Sequence, residues 1–313
     1  MTGVPTTLEQ LRSELEATRD LVEGCVLVSP SHGSPMAPDV LASSDSLLDA
    51  CERVLALTSA PSEEPRRILF QLACTGGTLF SKLIAALPNT FLLSEIHPKS
   101  PLIHYARRFA PSDIGLLSRA ALFPDVEAFC ESLFAEGLKH AGDWVSRRGG
   151  NLVLRDHSHS DFCWGPPKRE STLLRICAER GWPVRPLVAV RHPAASYASL
   201  ERNGWLHFEP ADFTTYCDRY IDFLDAVQSP LLMRYEDLLA SPEQSLIEVC
   251  DYWSLPYCDT AVDTFSVFAF SGDSGRSGDE IAARPPGDRE LELRAATTTA
   301  SYCQLLERLG YPD

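Results

Sequence analysis

The 313-residue chain lacks the sequence features of several protein classes. It opens with no charged segment followed by an apolar one, and no apolar run reaches the roughly 18 residues that a membrane-spanning helix needs. Its ten cysteines are scattered singly, and none forms a CxxC pair. Scattered cysteines without a secretion signal are typical of reduced, mostly buried thiols, so we expect a cytoplasmic protein.

Positive charge is also scarce, because 28 Lys and Arg face 43 Asp and Glu, for a formal net charge of −15. This balance argues against a nucleic acid or an anionic membrane as partner, since either would need clustered cations. An anionic ligand would have to be held by a local positive site. The sequence also lacks the Walker A pattern GxxxxGK[ST] and any typical metal-ligand spacing, so no metal is expected.

The order of predicted elements indicates an α/β fold. Short apolar segments predict buried strands at 67–73, 91–94, 152–155, 187–190 and 231–234. Helical patterns separate most of these strands and lie at 79–87, 124–147, 171–180, 194–202, 211–228, 242–253 and 289–309. Strands that alternate with helices predict a three-layer domain around a central, mostly parallel sheet.

Two regions are expected along the chain. Leucines at helical spacing in 5–25 and a second helical stretch at about 39–57 predict a helical N-terminal extension over residues 1–65. The α/β domain is expected to cover residues 66–313. The sequence assigns no role to the extension.

A glycine-rich turn follows the first predicted strand. Thr75, Gly76, Gly77 and Thr78 lie between that strand and a helix, an arrangement that points backbone N–H groups and the positive helix end at an anion. The glycines allow a tight turn, and Thr78 offers a hydroxyl at the helix start. A plain tight turn would explain the same residues, so this motif alone does not define a phosphate site.

The second motif, VAVRHPAASYAS, ends a strand at Val190 and begins a helix at Pro193, a favoured first helical residue. Arg191 therefore lies at the carboxyl end of a strand, and Ser199 follows eight residues later on the helix. In open parallel sheets, ligands bind beyond the carboxyl ends of the strands. We expect the glycine turn and Arg191 to face one crevice.

In this order, the motifs resemble those of sulfotransferases that use 3′-phosphoadenosine-5′-phosphosulfate (PAPS). That family has a strand–loop–helix segment P-K/R-S-G-T-T-W/L, with which Thr75-Gly76-Gly77-Thr78-Leu79 aligns. A later strand ends in R-x-P with a Ser eight positions after the Arg, so the resemblance implies that Arg191 and Ser199 bind the 3′-phosphate. Further cofactor contacts are implied for Tyr235, in a YEDL segment, and for Gly275-Arg276, in a late glycine-rich loop.

The chain departs from this family pattern at one position of the loop. Cys74 replaces the basic residue and Ala73 replaces the Pro. The resemblance implies that the missing cation would hold the 5′-phosphosulfate. Our hypothesis is that Arg155, at the end of the third strand, partly replaces this charge. Lys82, one helical turn beyond the loop, is the alternative, although a solvated helix Lys explains that residue too.

Three residues are candidates for the base that deprotonates the acceptor. The segment NLVLRDHSHSDF is similar to the K-T-H that ends the corresponding strand in cytosolic sulfotransferases, which implies His157 as the base and Arg155 as a contact of the sulfuryl oxygens. Glu95 is the rival, because other branches of the family place a catalytic Glu near this point. His159 is the third candidate. Without the resemblance, the histidines could simply anchor a loop, and Glu95 could be a helix cap or an ion-pair partner.

The resulting hypothesis is a PAPS-dependent sulfotransferase that releases adenosine 3′,5′-bisphosphate (PAP). Its acceptor would be a hydroxyl or amine of a small molecule, lipid or carbohydrate, bound by loops at 97–125, 160–170 or 203–215. Trp164, Trp205 and Phe208 could line that pocket or belong to the core. Two alternatives stay open, a P-loop-type nucleotide kinase or phosphotransferase and a catalytically inactive nucleotide-binding homologue. The motifs leave the assembly open, with a homodimer among the options.

Overall fold

Five parallel strands form the centre of the fold in a computed structural model that describes residues 64–101, 111–270, 280–296 and 298–312. The strands are β1 (Arg66–Gln71), β2 (Thr90–Ile96), β3 (Asn151–Asp156), β4 (Val184–Val190) and β5 (Leu231–Arg234). They are arranged in the order β2-β3-β1-β4-β5. All five predicted strands and their parallel arrangement are confirmed.

Helices cover both faces of the sheet. Those between β1 and β4 are α1 (Gly77–Ala85), α2 (Ile114–Ala120), α3 (Val126–Ser146), α4 (His159–Phe162) and α5 (Thr172–Glu179). Those after β4 are α6 (Pro193–Asn203), α7 (Phe213–Ala226), α8 (Tyr235–Ala240), α9 (Pro242–Trp253), α10 (Ala261–Thr264), α11 (Asp288–Ala296) and α12 (Ala300–Leu309). No helix among the described residues is long and apolar enough to cross a membrane.

Two details of the helix prediction were wrong. The predicted helix at 289–309 is divided into α11 and α12. Thr299 has an extended backbone (ψ 148°) and is the N-cap of α12, which suits a β-branched residue that has low helix propensity. Helices α2, α4 and α10 were not predicted. The N-cap of α2 is Asp113, whose side chain accepts a hydrogen bond from Leu116 N at 2.9 Å.

The strands carry apolar side chains on both faces, which divides the core into two layers. Ile68 and Phe70 of β1 belong to one layer, together with residues of α5, α6, α7 and α12. Leu69, between them, belongs to the other layer, together with residues of α1 and α9. All three are fully buried. A strand covered on both faces needs a continuous apolar run, which is why these strands were visible in the sequence.

The direction in which successive strands are added to the sheet reverses at β1. Strand β3 lies on one side of it and β4 on the other, so the chain crosses from one half of the sheet to the other between these two strands. Such a switch opens a crevice at the carboxyl ends of the strands, because the loops on either side turn away from each other. The segments after β1, β3, β4 and β5 meet at that edge.

Shortening Leu69 to Ala should lower the free energy of unfolding by about 3 kcal/mol, because this leaves a cavity at a fully buried site beneath α1. Leu117→Ala on α2 is the control, since its side chain is 44% exposed and the expected change is within about 0.5 kcal/mol. Urea unfolding monitored by circular dichroism measures both variants. Equal losses would contradict the two-layer core.

Candidate active site

A cleft of about 950 Å³ opens at the carboxyl edge of the sheet. Its lining contains seven cationic residues and six acidic ones. The cations are Lys82, Arg155, Arg191, Arg202, Arg284, Arg289 and Arg294. Because acidic residues outnumber cations across the whole chain, the cleft is locally enriched in positive charge. This is the kind of site that an anionic ligand of this protein would need.

The glycine turn forms one wall of the cleft and fits only glycine at two positions. Gly76 has φ +95°, and a Cβ there would come within 2.2 Å of the Tyr235 ring. A Cβ on Gly77 would come within 1.2 Å of Gln71 Oε1. Helix α1 begins at Gly77 with no side-chain cap. Since the first N–H groups of a helix have no partner within it, this end offers donors and a positive dipole to an anion.

The threonines of the turn have different environments. Thr75 is fully buried, and its hydroxyl donates to Leu72 O at 2.9 Å, so its side chain holds the turn from inside. Thr78 and Leu79 line the cleft. Arg155 Nη2 lies 3.5 Å from Thr78 Oγ1, which connects the turn to the end of β3.

Arg191 joins the two motifs that the sequence separates by more than a hundred residues. Its Nη1 donates to Ser199 Oγ at 3.3 Å and to Cys74 O at 3.2 Å. Its backbone N–H donates to Tyr220 OH at 3.1 Å. The guanidinium also lies 5.3 Å from the centroid of the Tyr235 ring. The structure therefore brings Arg191, Ser199, Tyr235 and the glycine turn together in one cleft.

Cys74 contributes no positive charge to the turn. Burial raises the pKa of its thiol to about 11, against the opposing effects of Asn203 and Arg191. The thiol is therefore neutral near pH 7. Its backbone has φ 67°, a left-handed conformation that presents its carbonyl to Arg191.

Arg155 and Glu95 form an ion pair beside the glycine turn. Arg155 Nη2 lies 3.0 Å from Glu95 Oε1, and the side chains are 3% and 21% exposed. Arg155 Nη1 also donates to Ser94 Oγ at 3.0 Å. Burial lowers the pKa of Arg155 to about 10, partly offset by Glu95, so the guanidinium stays charged at neutral pH. Glu95 has φ 56° where the β2–β3 register shifts, which places it at the cleft.

His157 follows β3 directly and lines the cleft beside this ion pair. Its backbone N–H donates to Ile96 O at 3.1 Å. Its Nδ1 lies 2.5 Å from Ser160 Oγ and 3.5 Å from Ser100 Oγ. Burial lowers the pKa of His157 below its ordinary value of 6.5, although Glu95 acts in the opposite direction. The imidazole is therefore neutral near pH 7.

His159 also borders the cleft, but as part of its floor. Its ring centroid lies 6.4 Å from that of His157, and the side chain is almost completely buried. Burial, together with the neighbouring histidines His157 and His207, lowers its pKa to about 3. A ring with so low a pKa is a weak proton acceptor, which makes His159 a poorer base than His157.

Aromatic residues form the end of the cleft near these histidines. Trp164 and Trp205 line it, whereas Phe208 is buried in the core. His207 stacks on Trp164 with ring centroids 3.9 Å apart, and Gly165 N donates to His207 O at 2.8 Å. His207 lies in the loop 203–215 named from the sequence but was not itself singled out, because this residue belongs to no motif and its stacking on Trp164 depends on two loops that meet in the fold.

A second group that the sequence did not reveal comes from 280–294. Arg284, Asp288 and Arg289 line the cleft on the side of α6. Arg289 is paired with Glu201 through Nε at 2.7 Å and Nη2 at 3.3 Å, which fastens α11 to α6. The Pro285-Pro286-Gly287 sequence at this point signals a chain turn, but not its position over a cleft. Gly275 and Arg276 lie outside the described residues, as does the predicted extension apart from Glu64 and Pro65.

Two carboxyl groups near the histidines, those of Asp156 and Asp161, have pKa values that are shifted in opposite directions. Burial raises the pKa of Asp156 to about 7, against the opposing effects of His97 and of a hydrogen bond from Ser158 Oγ at 2.7 Å. Burial also acts to raise the pKa of Asp161, but its contacts outweigh that effect and hold the pKa well below the ordinary range. Those contacts include His97 Nε2 at 3.2 Å and Thr172 N at 2.8 Å.

Solved structures similar to this chain include three sulfotransferases. The sulfotransferase domain from the curacin biosynthetic pathway is 13% identical, with a TM-score of 0.49, and the match covers 79% of this chain and 98% of that one. The sulfotransferase domain from the Synechococcus PCC 7002 olefin synthase is 18% identical, with a TM-score of 0.45 and coverages of 81% and 98%. Mouse sulfotransferase SULT7A1, complexed with PAP, is 10% identical, with a TM-score of 0.38 and coverages of 79% and 83%.

These likenesses assign no role to any residue. All three solved structures are of sulfotransferases, the class that the sequence motifs resemble. No model of a known protein family matches the chain, and no curated protein does.

Replacing Asp156 by Asn should make the protein more resistant to unfolding as the pH rises. Between the ordinary Asp value of 3.8 and about 7, the folded protein holds a proton on Asp156 that the unfolded chain has lost. The raised pKa of Asp156 therefore contributes stability at low pH. This contribution, roughly 4 kcal/mol in total, is lost as the pH rises through the pKa of the folded protein. Urea unfolding at pH 5 and pH 8 should show wild type losing more stability than Asp156→Asn.

Asp251→Asn on the exposed side of α9 serves as the control and should follow wild type at both pH values. Other titrating groups cancel in the comparison, because the three proteins share them. Parallel pH dependence of wild type and Asp156→Asn would show that the Asp156 carboxyl does not change its protonation on folding.

Proposed function

We propose that this protein is a PAPS-dependent sulfotransferase, which transfers a sulfuryl group to a hydroxyl or amine of an acceptor and releases PAP. One observation carries the proposal: the glycine turn, the Arg191–Ser199 pair and the His157–Glu95–Arg155 group all line one cleft. The first two suit the two anionic ends of the donor. The third suits removal of a proton and stabilisation of charge.

The polar groups of the cleft match the chemistry of the donor PAPS. A bis-anionic nucleotide needs two separate sets of N–H donors. The uncapped start of α1 would bind the 5′-phosphosulfate through backbone N–H groups. Arg191 and Ser199 would bind the 3′-phosphate, with charge-assisted hydrogen bonds from the guanidinium. When bound, the donor supplies the sulfuryl group and a phosphate leaving group.

Within this proposal, His157 is the base. Its neutral imidazole at the cleft can accept the proton of the acceptor as attack proceeds. Glu95 is the alternative, but its carboxylate is already held by Arg155 at 3.0 Å. His159 would act mainly in packing, since its ring is buried behind His157.

Arg155 would supply positive charge in place of the family's loop cation. Cys74 is neutral, whereas the Arg155 guanidinium reaches Thr78 of the same turn. A fixed, charged donor in a cleft stabilises the charge that develops on sulfuryl oxygens or on the leaving phosphate. Lys82 also lines the cleft and is the second candidate for this role.

A catalytically inactive, PAP-binding homologue is the second candidate function. The observation that favours it is the neutral thiol of Cys74 at the position where the family has a cation. The nucleotide kinase alternative has no comparable support, since the loop lacks its Lys. The acceptor class proposed here stays broad (small molecule, lipid or carbohydrate), and the proposed compartment is the cytoplasm.

Changing Arg191 to Ala should weaken PAP binding by about 1.5–3 kcal/mol, because it removes a charge-assisted contact with the 3′-phosphate. Arg185→Ala is the matched control: this residue is near the opposite end of β4, where it is exposed and bonds Tyr252 O and Ser254. Calorimetric titration with PAP, and with ADP plus Mg²⁺, measures both variants.

Tight PAP binding by wild type and by Arg185→Ala, and weakened binding by Arg191→Ala, would support the donor assignment. Equal PAP affinity in all three proteins would remove Arg191 from the 3′-phosphate site. Binding of ADP with Mg²⁺, and no binding of PAP, would favour the nucleotide kinase alternative instead.

His157→Ala should abolish turnover while leaving PAP affinity unchanged, because the imidazole acts on the acceptor and not on the nucleotide. In wild type, kcat/KM should rise with pH as His157 loses its proton and level off below pH 6.5, since burial lowers its pKa. Glu95→Gln is the comparison. If Glu95→Gln abolishes turnover and His157→Ala retains it, Glu95 is the base.

A further inference from the structure

We propose that Ser160 is a positioning residue that fixes the tautomer of His157, holding its proton on Nδ1 so that Nε2 can accept a proton at the cleft. The proposal rests on the proposed function in one respect, namely that His157 is the base. The hydrogen-bond arrangement behind the ring is independent of that function. No sequence motif pointed to Ser160 or to its partner Ser100.

The contacts behind His157 form a chain of hydroxyl groups. Nδ1 lies 2.5 Å from Ser160 Oγ, and Ser160 Oγ donates to Ser100 Oγ at 3.2 Å. A serine hydroxyl has one proton to donate. Because Ser160 directs that proton to Ser100, it can only accept at Nδ1. This donor direction is the basis for assigning the ring proton to Nδ1.

Burial makes this arrangement specific. Ser160 is 3% exposed and Ser100 is 8% exposed, so water competes little for either hydroxyl. The backbone also fixes the spacing, since Ser160 N donates to His157 O at 3.0 Å and His157 N donates to Ile96 O at 3.1 Å. A buried donor left without its acceptor is costly, which gives the tautomer an energetic preference.

The charged and titratable groups around His157 do not provide the same contact. They come from β2 and its end, from β3 and from α4, and they are Glu95, His97, Arg155, His159 and Asp161. Glu95 is paired with Arg155, and His97 with Asp161. The recorded hydrogen-bond partners of His157 Nδ1 among the described residues are the two serine hydroxyls.

The tautomer decides which chemistry the ring can perform. A neutral imidazole has one N–H donor and one nitrogen acceptor. With the proton on Nδ1, the lone pair of Nε2 is available to an acceptor hydroxyl or amine in the cleft. With the proton on Nε2, the ring would offer a donor to the cleft, and its basic nitrogen would point at Ser160. Ser160 thus does for His157 what an orienting third group does for other bases.

The experiment is two-dimensional ¹H–¹⁵N spectroscopy of the histidine side chains in the full-length protein without ligand at pH 8. His157→Gln identifies the His157 signals by their loss. In wild type, Nδ1 of His157 should show the chemical shift of a protonated ring nitrogen and Nε2 that of an unprotonated one. Ser160→Ala should shift the balance toward protonated Nε2, whereas Ser160→Thr, which keeps the hydroxyl, should restore the wild-type pattern.

Two further variants sharpen the test. Ser100→Ala removes the acceptor of the Ser160 proton, so Ser160 becomes able to donate to Nδ1, and the His157 proton should move toward Nε2. Ser158→Ala is the control: this buried hydroxyl lies two residues from Ser160 but donates to Asp156 instead. It should leave the His157 signals as they are in wild type.

Turnover measurements provide a second, independent test. Ser160→Ala should lower kcat roughly 10-fold to 100-fold, a smaller loss than in His157→Ala, because part of the ring population keeps the productive tautomer. The KM for PAPS should stay unchanged, and Ser160→Thr should recover most of the rate. A rise in the KM for PAPS that matches the fall in kcat would indicate general damage to the cleft and would contradict a role confined to His157.

Unprotonated Nδ1 in wild type would overturn the proposal whether or not the protein transfers sulfuryl groups. Protonated Nδ1 that persists in Ser160→Ala would also overturn it, since another group would then set the tautomer. If the spectra follow the expected pattern while no acceptor is sulfated, the tautomer assignment holds and the proposed function is what fails. Wild type and Ser100→Ala decide the question even if Ser160→Ala does not fold, because Ser100→Ala should move the His157 proton toward Nε2 only if the two serines set the tautomer.

Discussion

The contact between Arg191 and the carbonyl of Cys74 is the interaction on which the site depends. One guanidinium nitrogen is shared between Cys74 O, on the turn after β1, and Ser199 Oγ, on α6. The two glycine positions depend on the same turn, because Gly76 packs against Tyr235 and Gly77 against Gln71. A charged group therefore both closes the turn and faces the cleft, so the folded turn and the proposed anion site would form together.

The sequence predicted the parts of this arrangement that local rules govern. Five buried strands appeared as apolar runs because both of their faces are covered, and Arg191 was expected in the crevice because it ends a strand. The pairing of Glu95 with Arg155 depends on a left-handed residue and a register shift, neither of which a propensity reveals. The stacking of His207 on Trp164 likewise depends on two loops that meet only in the folded chain.

Buried polar groups explain why residue types alone could not rank the candidate bases. His157 and His159 are two residues apart and look equivalent in the sequence. In the fold, one lines the cleft against two serine hydroxyls, whereas the other lies in the floor with its pKa lowered to about 3. Burial and hydrogen bonding separate two identical side chains into different chemical roles, and both are properties of tertiary packing.

The concentration of cations inside an acidic protein also bears on how a ligand arrives. The formal charge of −15 would repel the proposed anionic nucleotide at long range, whereas the arginines of the cleft would attract it only nearby. At physiological ionic strength the screening distance is about 8 Å. At low ionic strength the far field would therefore slow encounter, whereas at physiological ionic strength mainly the near field of the cleft would act on the ligand. Moderate salt, which weakens the repulsion felt on approach, would then speed association even as it weakens the final complex.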